Sequence, residues 1–199
     1  MSTINPVPDK IMDIAQELVQ TRGFHGFSFR DISDKVGIRT ASIHYYFPTK
    51  GDLGGAMLAR IQSGFNAALE QIDQDCERSE DKLYRFASIF MDTFGVGDRL
   101  CPFCMFATAQ ETVPEPVRQQ VMAFWDLGEQ WLTRVIEEGR LRGDWRTDLE
   151  DSALIARTFI SALEGAMVTS RAYRDPQRLR RTADYLIKRL KAKAQDVVA

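Results

Sequence analysis

The chain has 199 residues, of which 44% are hydrophobic and 27% charged, and its formal net charge is -2. This composition is ordinary for a globular protein, and no apolar run approaches the ~20 residues that a membrane-spanning helix needs. Three cysteines and a short polar N-terminus without a signal peptide predict a cytoplasmic protein that has no disulfide framework and no membrane partner.

The charge is distributed unevenly along the chain. Residues 1–60 carry seven Lys/Arg and six Asp/Glu, residues 61–170 carry ten and nineteen, and residues 171–199 carry nine and three. A phosphate backbone would repel the acidic middle. Any contact with DNA is therefore expected to come from one end of the chain.

Two helices are predicted near the N-terminus. The first begins at Pro8 or Asp9 and ends at Arg22-Gly23. Its apolar residues recur at helical spacing and are Ile11, Ile14, Ala15 and Leu18. The second begins after Ser28, which forms a capping box with Asp31, and ends at Gly37, where a left-handed backbone is needed.

A third helix follows directly and completes a helix-turn-helix pattern. It begins at Arg39 or Thr40 and ends at Phe47, before the helix breaker Pro48. Ile43 and Phe47 are expected to point inward. Its outward residues are Thr40, Ala41, Ser42, His44, Tyr45 and Tyr46. Small, hydroxyl and aromatic side chains on one exposed face suit a recognition helix in a DNA groove.

These segments resemble the N-terminal domain of TetR-family transcriptional repressors. The matching residues are Ile11-Met12-Asp13-Ile14-Ala15-Gln16-Glu17-Leu18, Gly23-Phe24, Ser28-Phe29-Arg30-Asp31-Ile32, Val36-Gly37-Ile38, Ile43, Tyr45-Tyr46-Phe47, Lys50 and Leu53. Phe27 and Phe29 stand where the family more often has small hydroxyl residues, and His44 stands where it usually has tyrosine. These departures bear on the base preference and leave the predicted fold unchanged.

Six more helices are predicted after Pro48. They run from Lys50 to about Cys76, from Ser79 to Gly95 or Gly97, from Pro102 to Ala109, from Pro114 to between Gly139 and Gly143, from Asp148 to about Tyr173, and from Asp175-Pro176 to Leu190. No alternating pattern predicts a strand. The chain is therefore expected to be all-α, with a three-helix helix-turn-helix head at residues 1–50 and an effector-binding and dimerisation body of about six helices at residues 51–199.

The recognition helix supplies most of the predicted contacts with double-stranded DNA. Thr40 and Ala41 suit a thymine methyl group, whereas Ser42, Tyr46 and Lys50 are expected to bind phosphates. The resemblance implies the same roles and adds Arg30. The complete predicted set is Arg30, Arg39, Thr40, Ala41, Ser42, His44, Tyr45, Tyr46 and Lys50.

A homodimer is expected because one head carries too few cations to bind DNA tightly. Two heads would occupy successive major-groove faces ~34–36 Å apart. The resemblance implies an interface through the last two helices, at about residues 150–193. Small residues there would allow close approach, namely Ser161, Ala162, Gly165 and Ala166. The basic run from Arg171 to Lys193 is interpreted as the solvated outer face of these helices, because Leu and Ile keep their helical period within it; a nucleic-acid or membrane surface is the alternative.

The Cys101-Pro102-Phe103-Cys104 motif has several interpretations. Zinc would need two further ligands, but both histidines lie in the head, so no metal or cofactor is expected. Burial beside aromatic residues is the simpler interpretation. The alternative is a sensor of oxidants or electrophiles, because a helix beginning at Pro102 would place Cys104 in its first turn, where a thiol pKa can be lowered.

The aromatic density of the body allows an apolar effector cavity. The predicted ligand-binding residues are Phe90, Cys101, Phe103, Cys104, Phe106, Glu111, Trp125 and Phe159, with Thr108 and Gln110 as further polar candidates. The body contains no histidine, and no Ser-His-Asp set or phosphate-binding glycine loop is present, so an enzyme is not expected. The sequence thus predicts a repressor released by a small apolar or electrophilic effector; a thiol-based sensor acting through Cys101 and Cys104 is the alternative.

Overall fold

The structure is a computed structural model that describes residues 6–146 and 151–191, and within these ranges it consists of helices joined by short connections. The α-helices are α1 (Pro6–Arg22), α2 (Phe29–Val36), α3 (Thr40–Tyr46), α4 (Lys50–Asp75), α5 (Ser79–Gly95), α6 (Pro102–Ala107), α7 (Glu115–Leu141), α8 (Ser152–Tyr173) and α9 (Gln177–Leu190). A 3-10 helix, Gln110–Thr112, lies between α6 and α7. Over the same ranges the extended pairing is limited to one bridge between Trp145 and Lys191.

Side-chain caps fix where α2 and α4 begin. The Asp31 carboxylate accepts hydrogen bonds from the Ser28 backbone N–H at 2.7 Å and from the Ser28 hydroxyl at 2.6 Å. Asp52 accepts from the Thr49 N–H at 2.9 Å, and the Thr49 hydroxyl in turn accepts from the Asp52 N–H at 3.1 Å. Both are reciprocal capping boxes, which satisfy backbone donors that a helix start leaves unpaired.

Gly37 sets the angle between α2 and α3. Its φ of 79° lies in the left-handed region that favours glycine, and its N–H donates to the Ser33 carbonyl at 2.9 Å. The chain can therefore leave α2 and enter α3 within three residues. Ile32 and Ile43, one from each helix, are fully buried.

The chain divides into two compact units. The first takes the chain up to Gly64 together with Arg99–Phe124, and the second takes Phe65–Asp98 together with the chain from Trp125 onwards. The first unit thus contains α1, α2 and α3, the start of α4, α6, the 3-10 helix and the start of α7. Its core includes buried Ile11, Leu18, Leu53, Phe103 and Phe106.

Phe86 of α5 lies at the centre of the second unit. Its ring stacks on Trp131 with centroids 5.5 Å apart and also contacts the rings of Phe65, Phe90 and Phe159 at 5.5–6.2 Å. Helices α8 and α9 pack along each other and on α5. The Ser170 hydroxyl accepts a 3.0 Å hydrogen bond from the Leu179 N–H and so joins α8 to the start of α9.

The all-α prediction is confirmed, with three helices in the head and six after it among the described residues. The N-cap at Thr49 and the start of α6 at Pro102 also agree with the sequence-based expectations, and α9 contains the apolar residues predicted for the last helix, up to Leu190. Helix α1 begins at Pro6, earlier than predicted. The expected helix start at Asp148 lies outside the described residues, and α8 begins at Ser152 with Asp151 as its N-cap.

None of the helices in the described ranges has the length and apolar character needed to cross a membrane.

Candidate nucleic-acid interface

Helix α3 has one buried face and one exposed face. Ile43 is fully buried and Phe47, just after the helix, is almost so. On the other side Tyr45 is 82% exposed, and Ala41 and His44 are also exposed. Thr40, Ser42 and Tyr46 are half-buried at the edges of this face. The inward and outward residues are those that the sequence predicted.

The His44 imidazole is held in one orientation. Its ring packs edge-on against Phe29, with centroids 4.7 Å apart, and its Nδ1 lies 3.1 Å from the Pro48 carbonyl oxygen. A carbonyl oxygen can only accept a hydrogen bond, so Nδ1 carries the hydrogen. In the neutral ring Nε2 is then an acceptor, on a side chain that is exposed at the helix surface.

Neighbouring contacts also restrict the other side chains of α3. The rings of Tyr45 and Tyr46 meet edge to face with centroids 5.1 Å apart. The Thr40 hydroxyl lies 3.3 Å from the Ser33 hydroxyl, which donates to the Arg30 carbonyl at 3.0 Å. Thr40 therefore has its hydroxyl toward α2, which leaves its methyl group as the part suited to an apolar contact with a base.

Lys50 lies at the start of α4 and is half-buried. Its ammonium lies 3.9 Å from the Phe27 ring centroid and 4.9 Å from that of Phe24, and it donates a hydrogen bond to the Phe27 carbonyl. Burial lowers the pKa of Lys50, and the charge of Asp31 opposes that shift. An ammonium has three donors, so one bond to Phe27 leaves two for a phosphate.

The remaining charges of the head separate into paired and available groups. Lys35 pairs with Glu17 at 2.5 Å, and that hydrogen bond lowers the pKa of Glu17. The Ser28 hydroxyl and N–H likewise lower the pKa of Asp31. Arg30 and Arg39 are exposed and make no ion pair with any residue of the described ranges. They are therefore available to meet an anion.

The predicted ligand-binding residues fall into both compact units. Cys101, Phe103, Cys104, Phe106 and Glu111 belong to the first unit, and Phe90, Trp125 and Phe159 to the second. The aromatic rings of Phe90, Phe103, Phe106 and Phe159 are buried, Cys104 and Trp125 are half-buried, and Glu111 is exposed. Phe103 stacks on Phe124 at 3.7 Å, and Phe90 and Phe159 both contact Phe86. Their role in binding an effector stays a prediction.

The sequence reasoning missed a segment that packs on the head, Arg99–Gln120. Arg99 pairs with Glu17 at 3.4 Å, and the Leu100 N–H donates to the Gln20 carbonyl at 3.3 Å. The signal was present in the three glycines near the start of α4, at positions 51, 54 and 55. Glycine inside a helix costs about 1 kcal/mol relative to alanine, so a cluster of them indicates close approach by another element.

No group of three or more His, Cys, Asp or Glu residues in the described ranges is arranged to hold a metal ion.

Comparisons with known proteins agree with this arrangement. A family model described as "Bacterial regulatory proteins, tetR family" matches residues 11–57, and one described as "Tetracyclin repressor-like, C-terminal domain" matches residues 81–186. The chain is 24% identical over 140 residues to a Bacillus subtilis (strain 168) protein described as "Probable HTH-type transcriptional regulator YttP". That alignment covers 70% of this chain and 67% of the relative.

Solved structures match over nearly the whole chain. A TetR-family transcriptional regulator from Agrobacterium tumefaciens superposes with a TM-score of 0.88 and 26% identity, covering 93% of this chain and 97% of the other. A TetR transcriptional regulator from Legionella pneumophila superposes with a TM-score of 0.84 and 30% identity, covering 96% and 100%. Both halves of the chain therefore have regulators as their structural counterparts.

Proposed function

Because the chain belongs to the TetR family of transcriptional regulators, we propose that it is a ligand-responsive repressor that binds palindromic operator DNA as a homodimer. It would act in the cytoplasm, where operator DNA is found. Residues 1–50 would bind the operator, and residues 51–199 would supply the dimer interface and the effector site.

The observation that carries this proposal is the exposed face of α3. Tyr45 is 82% exposed and lies beside an exposed histidine and small residues, which together form a mixed polar and apolar surface. Ala41 and the Thr40 methyl group can contact a thymine methyl, and His44 and Tyr45 can meet base edges. Ser42, Tyr46, Lys50, Arg30 and Arg39 border this face with hydroxyls and cations that suit phosphates.

The exposed face of α8 supports dimer formation. Leu154 and Val168 are 47% and 44% exposed, although both are apolar. Between them lie exposed Ser161 and Gly165, and a Cβ added at Gly165 would have no atom within 4 Å. A helix from a second copy could approach closely here and cover the apolar residues. Ala162 is half-buried beside this strip, whereas Ala166 is already buried within its own chain.

The effector is expected to act through a change in the head that α4 transmits, since α4 begins beside α3 and continues into the second unit. Such an effect requires the effector to bind the conformation with low operator affinity more tightly than the other, because equal affinity shifts no equilibrium.

The test is the salt dependence of operator binding. A fragment is selected with the full-length protein from a random DNA pool, and its Kd is measured at several salt concentrations for the wild type and for Ser42→Ala, Tyr46→Ala and Lys50→Met. Each variant is expected to weaken binding. Lys50→Met should also reduce the slope of log K against log[salt] by about one, because it removes a cation, whereas the two hydroxyl variants should keep the wild-type slope. Glu70→Gln, exposed on α4, is the control. Unchanged affinity in all three variants, with an unchanged slope for Lys50→Met, would contradict the proposed interface.

A second candidate function is a thiol-based sensor. The observation that favours it is the placement of Cys101 as the N-cap of α6 and of half-buried Cys104 in its first turn. Iodoacetamide labelling followed by mass spectrometry tests this function. Fast labelling of Cys104 relative to Cys76, with loss of operator binding that Cys104→Ser prevents, is the expected result. Equal and slow labelling of all three cysteines contradicts it.

A further inference from the structure

A cleft of about 260 Å³ lies within the first unit, between the end of α6, the 3-10 helix and the first turns of α7. Its apolar lining comes from Phe106, Val113, Val121 and Met122. Met122 is 56% exposed at the rim, although methionine is apolar, and Phe106 and Val113 are buried. The cleft is thus an apolar recess that solvent can enter and that a small molecule can fill.

The charged groups of the cleft neutralise each other. Arg118 donates from Nε to Glu115 Oε2 at 2.8 Å, and its Nη2 donates to the same oxygen. Its Nη1 donates to the Val113 carbonyl at 2.8 Å. Hydrogen bonds from Gln119 and Arg118 lower the pKa of Glu115, so the pair stays ionised on both sides. A charged ligand would find no unpaired charge of opposite sign here. Burying its own charge without a partner would be costly.

The preferred ligand is therefore neutral and mainly apolar. Gln110 also lines the cleft, and its exposed side chain is not part of the Arg118–Glu115 pair. Its amide can both donate and accept, so it can bind one hydroxyl, carbonyl or amide of a ligand. The cleft volume is slightly below the ~300–1,000 Å³ of most drug-sized sites, so a small molecule fits best.

The wall of the cleft is also a packing surface for the head. The Phe106 ring lies 4.9 Å from the Phe24 ring, and a Cβ added at Gly54 of α4 would lie only 2.9 Å from it. Pro114, which lies between the lining residues Val113 and Glu115, is also close to α4, since a Cβ added at Gly51 would lie 2.6 Å from it. The Phe106 ring therefore packs closely on α4 at Gly54, so a ligand that displaces the ring towards α4 is expected to move the start of that helix.

A hydrogen bond also ties the 3-10 helix to the head. His25 Nε2 lies 2.7 Å from the Thr112 hydroxyl, which donates its own hydrogen to the Ala109 carbonyl at 2.8 Å. The hydroxyl must then accept, so His25 Nε2 is the donor. The turn between α1 and α2 is thereby linked to the 3-10 helix, which contributes Gln110 to the cleft.

We propose that this cleft binds a small, neutral, mainly apolar molecule, and that its occupancy lowers operator affinity by moving the Phe106 and Pro114 contacts on α4. The regulatory part rests on the proposed function, and the binding part does not. Linkage requires that operator DNA weakens ligand binding by the same factor.

The binding part is tested on the full-length protein with two neutral probes, indole and cyclohexanol. The protein carries ¹³C-methyl methionine, and Met122→Leu identifies the Met122 signal. A saturable shift of the Met122 methyl signal is expected for at least one probe. Ala107→Trp, at an exposed position that lines the cleft, should fill it and weaken binding at least tenfold. Ala123→Trp, exposed on α7 and outside the lining, is the matched control and should bind as the wild type does.

A Met122 signal that neither probe shifts, or equal binding to both tryptophan variants, overturns the proposed site. The regulatory part is then tested with the selected operator. A saturating probe should raise the operator Kd at least threefold for the wild type and for Ala123→Trp, and leave it unchanged for Ala107→Trp. An unchanged Kd with the cleft occupied overturns the regulatory part. Probe binding at Met122 in a protein that selects no DNA sequence would instead contradict the proposed function and leave the site standing.

Discussion

His44 is the residue of α3 whose chemistry is most closely defined. The Pro48 carbonyl fixes the hydrogen on Nδ1, and the Phe29 ring holds the imidazole plane. The neutral ring presents an acceptor at Nε2, which suits the exocyclic amine of adenine or cytosine in the major groove. A tyrosine at this position would instead present a hydroxyl that can also donate.

Replacing His44 is therefore expected to change the base preference and leave the electrostatic part of binding intact. In a repeated selection, His44→Phe should lose its preference at one base pair of each half-site, at a cost of about 1–3 kcal/mol for the original operator. The salt slope should stay that of the wild type. A reduced slope with an unchanged base preference would mean that His44 contacts the backbone.

At the scale of residues, the sequence predicted most of what helix caps and periodicity determine. Ser28, Asp31, Gly37 and Thr49 act locally, so their roles can be read from neighbours along the chain. The orientation of His44 and the position of the Lys50 ammonium depend on Pro48 and on the aromatic rings that tertiary packing brings near. Sequence spacing carries no information about those contacts.

Helices α4, α5 and α7 are joined by an ionic network centred on the buried Lys82. The Lys82 ammonium, with a side chain only 7% exposed, lies 3.0 Å from both Asp73 and Glu138. Arg134 pairs with Asp73 at 2.5 Å and with Glu138 at 2.7 Å, and the Trp131 indole donates to Asp73 at 3.0 Å. Removing Lys82 would leave two half-buried carboxylates with Arg134 as their shared cation, and so without full compensation.

Lys82→Met is accordingly expected to lower the free energy of unfolding by about 3 kcal/mol, as for other buried pairs that lose one partner. Urea unfolding at a fixed protein concentration measures this. Arg85→Met on the same helix is the control, because the exposed Arg85–Asp75 pair at 3.6 Å should contribute about 0.5 kcal/mol or less. Equal effects of the two substitutions would show that burial adds nothing to the network.

The network also predicts how stability depends on pH. Burial raises the pKa of Asp73 and of Glu138, but hydrogen bonds from Lys82 and Arg134 outweigh it, so both pKa values lie below their usual range. A depressed carboxyl pKa stabilises the fold above the pKa of the unfolded chain, and this contribution is lost as the pH falls through the folded value. The loss of stability on acidification below about pH 4–5 should be smaller in Asp73→Asn than in the wild type. An equal loss of unfolding free energy on acidification in both proteins would contradict a lowered pKa of Asp73 in the folded state.

Helix α7 ends against a buried tryptophan. Trp145 is 2% exposed, and a Cβ added at Gly139 would lie 1.8 Å from its Nε1. Gly139→Ala is therefore expected to destabilise the protein by about 1–3 kcal/mol through overpacking. Gly64→Ala, inside α4 with no atom within 4 Å, should instead stabilise it by up to about 1 kcal/mol. Thermal unfolding of both variants distinguishes them. Equal shifts in Tm would contradict the close packing of Gly139 against Trp145.

At the scale of elements, the sequence predicted the helices but not which helices and connecting segments pack against each other. Apolar periodicity identified α4, α5 and α7, and Pro102 and Pro114 marked the helix starts near them. That Arg99–Gln120 packs on the head could be anticipated only from the glycines of α4. The 3-10 helix at Gln110–Thr112 is shorter than any window in which periodicity is measurable, so no pattern predicted it.

For the whole molecule, the central requirement is a dimer that places two α3 helices on one operator. A single head offers few unpaired cations, and the chain has a net charge of -2. Gly165→Arg would place a charge and a long side chain on the exposed strip of α8. It is expected to convert the dimer to a monomer in analytical ultracentrifugation and to weaken operator binding at least a hundredfold. Ala67→Arg, exposed on α4, should do neither.

The most direct measurement is the stoichiometry and footprint of the complex on its selected operator. Two chains are expected for each operator at saturation. They should protect two half-sites on one face of the duplex, with centres ~34–36 Å apart or a multiple of that distance. One chain for each operator, or protection without a two-fold related pair of half-sites, would contradict this expectation.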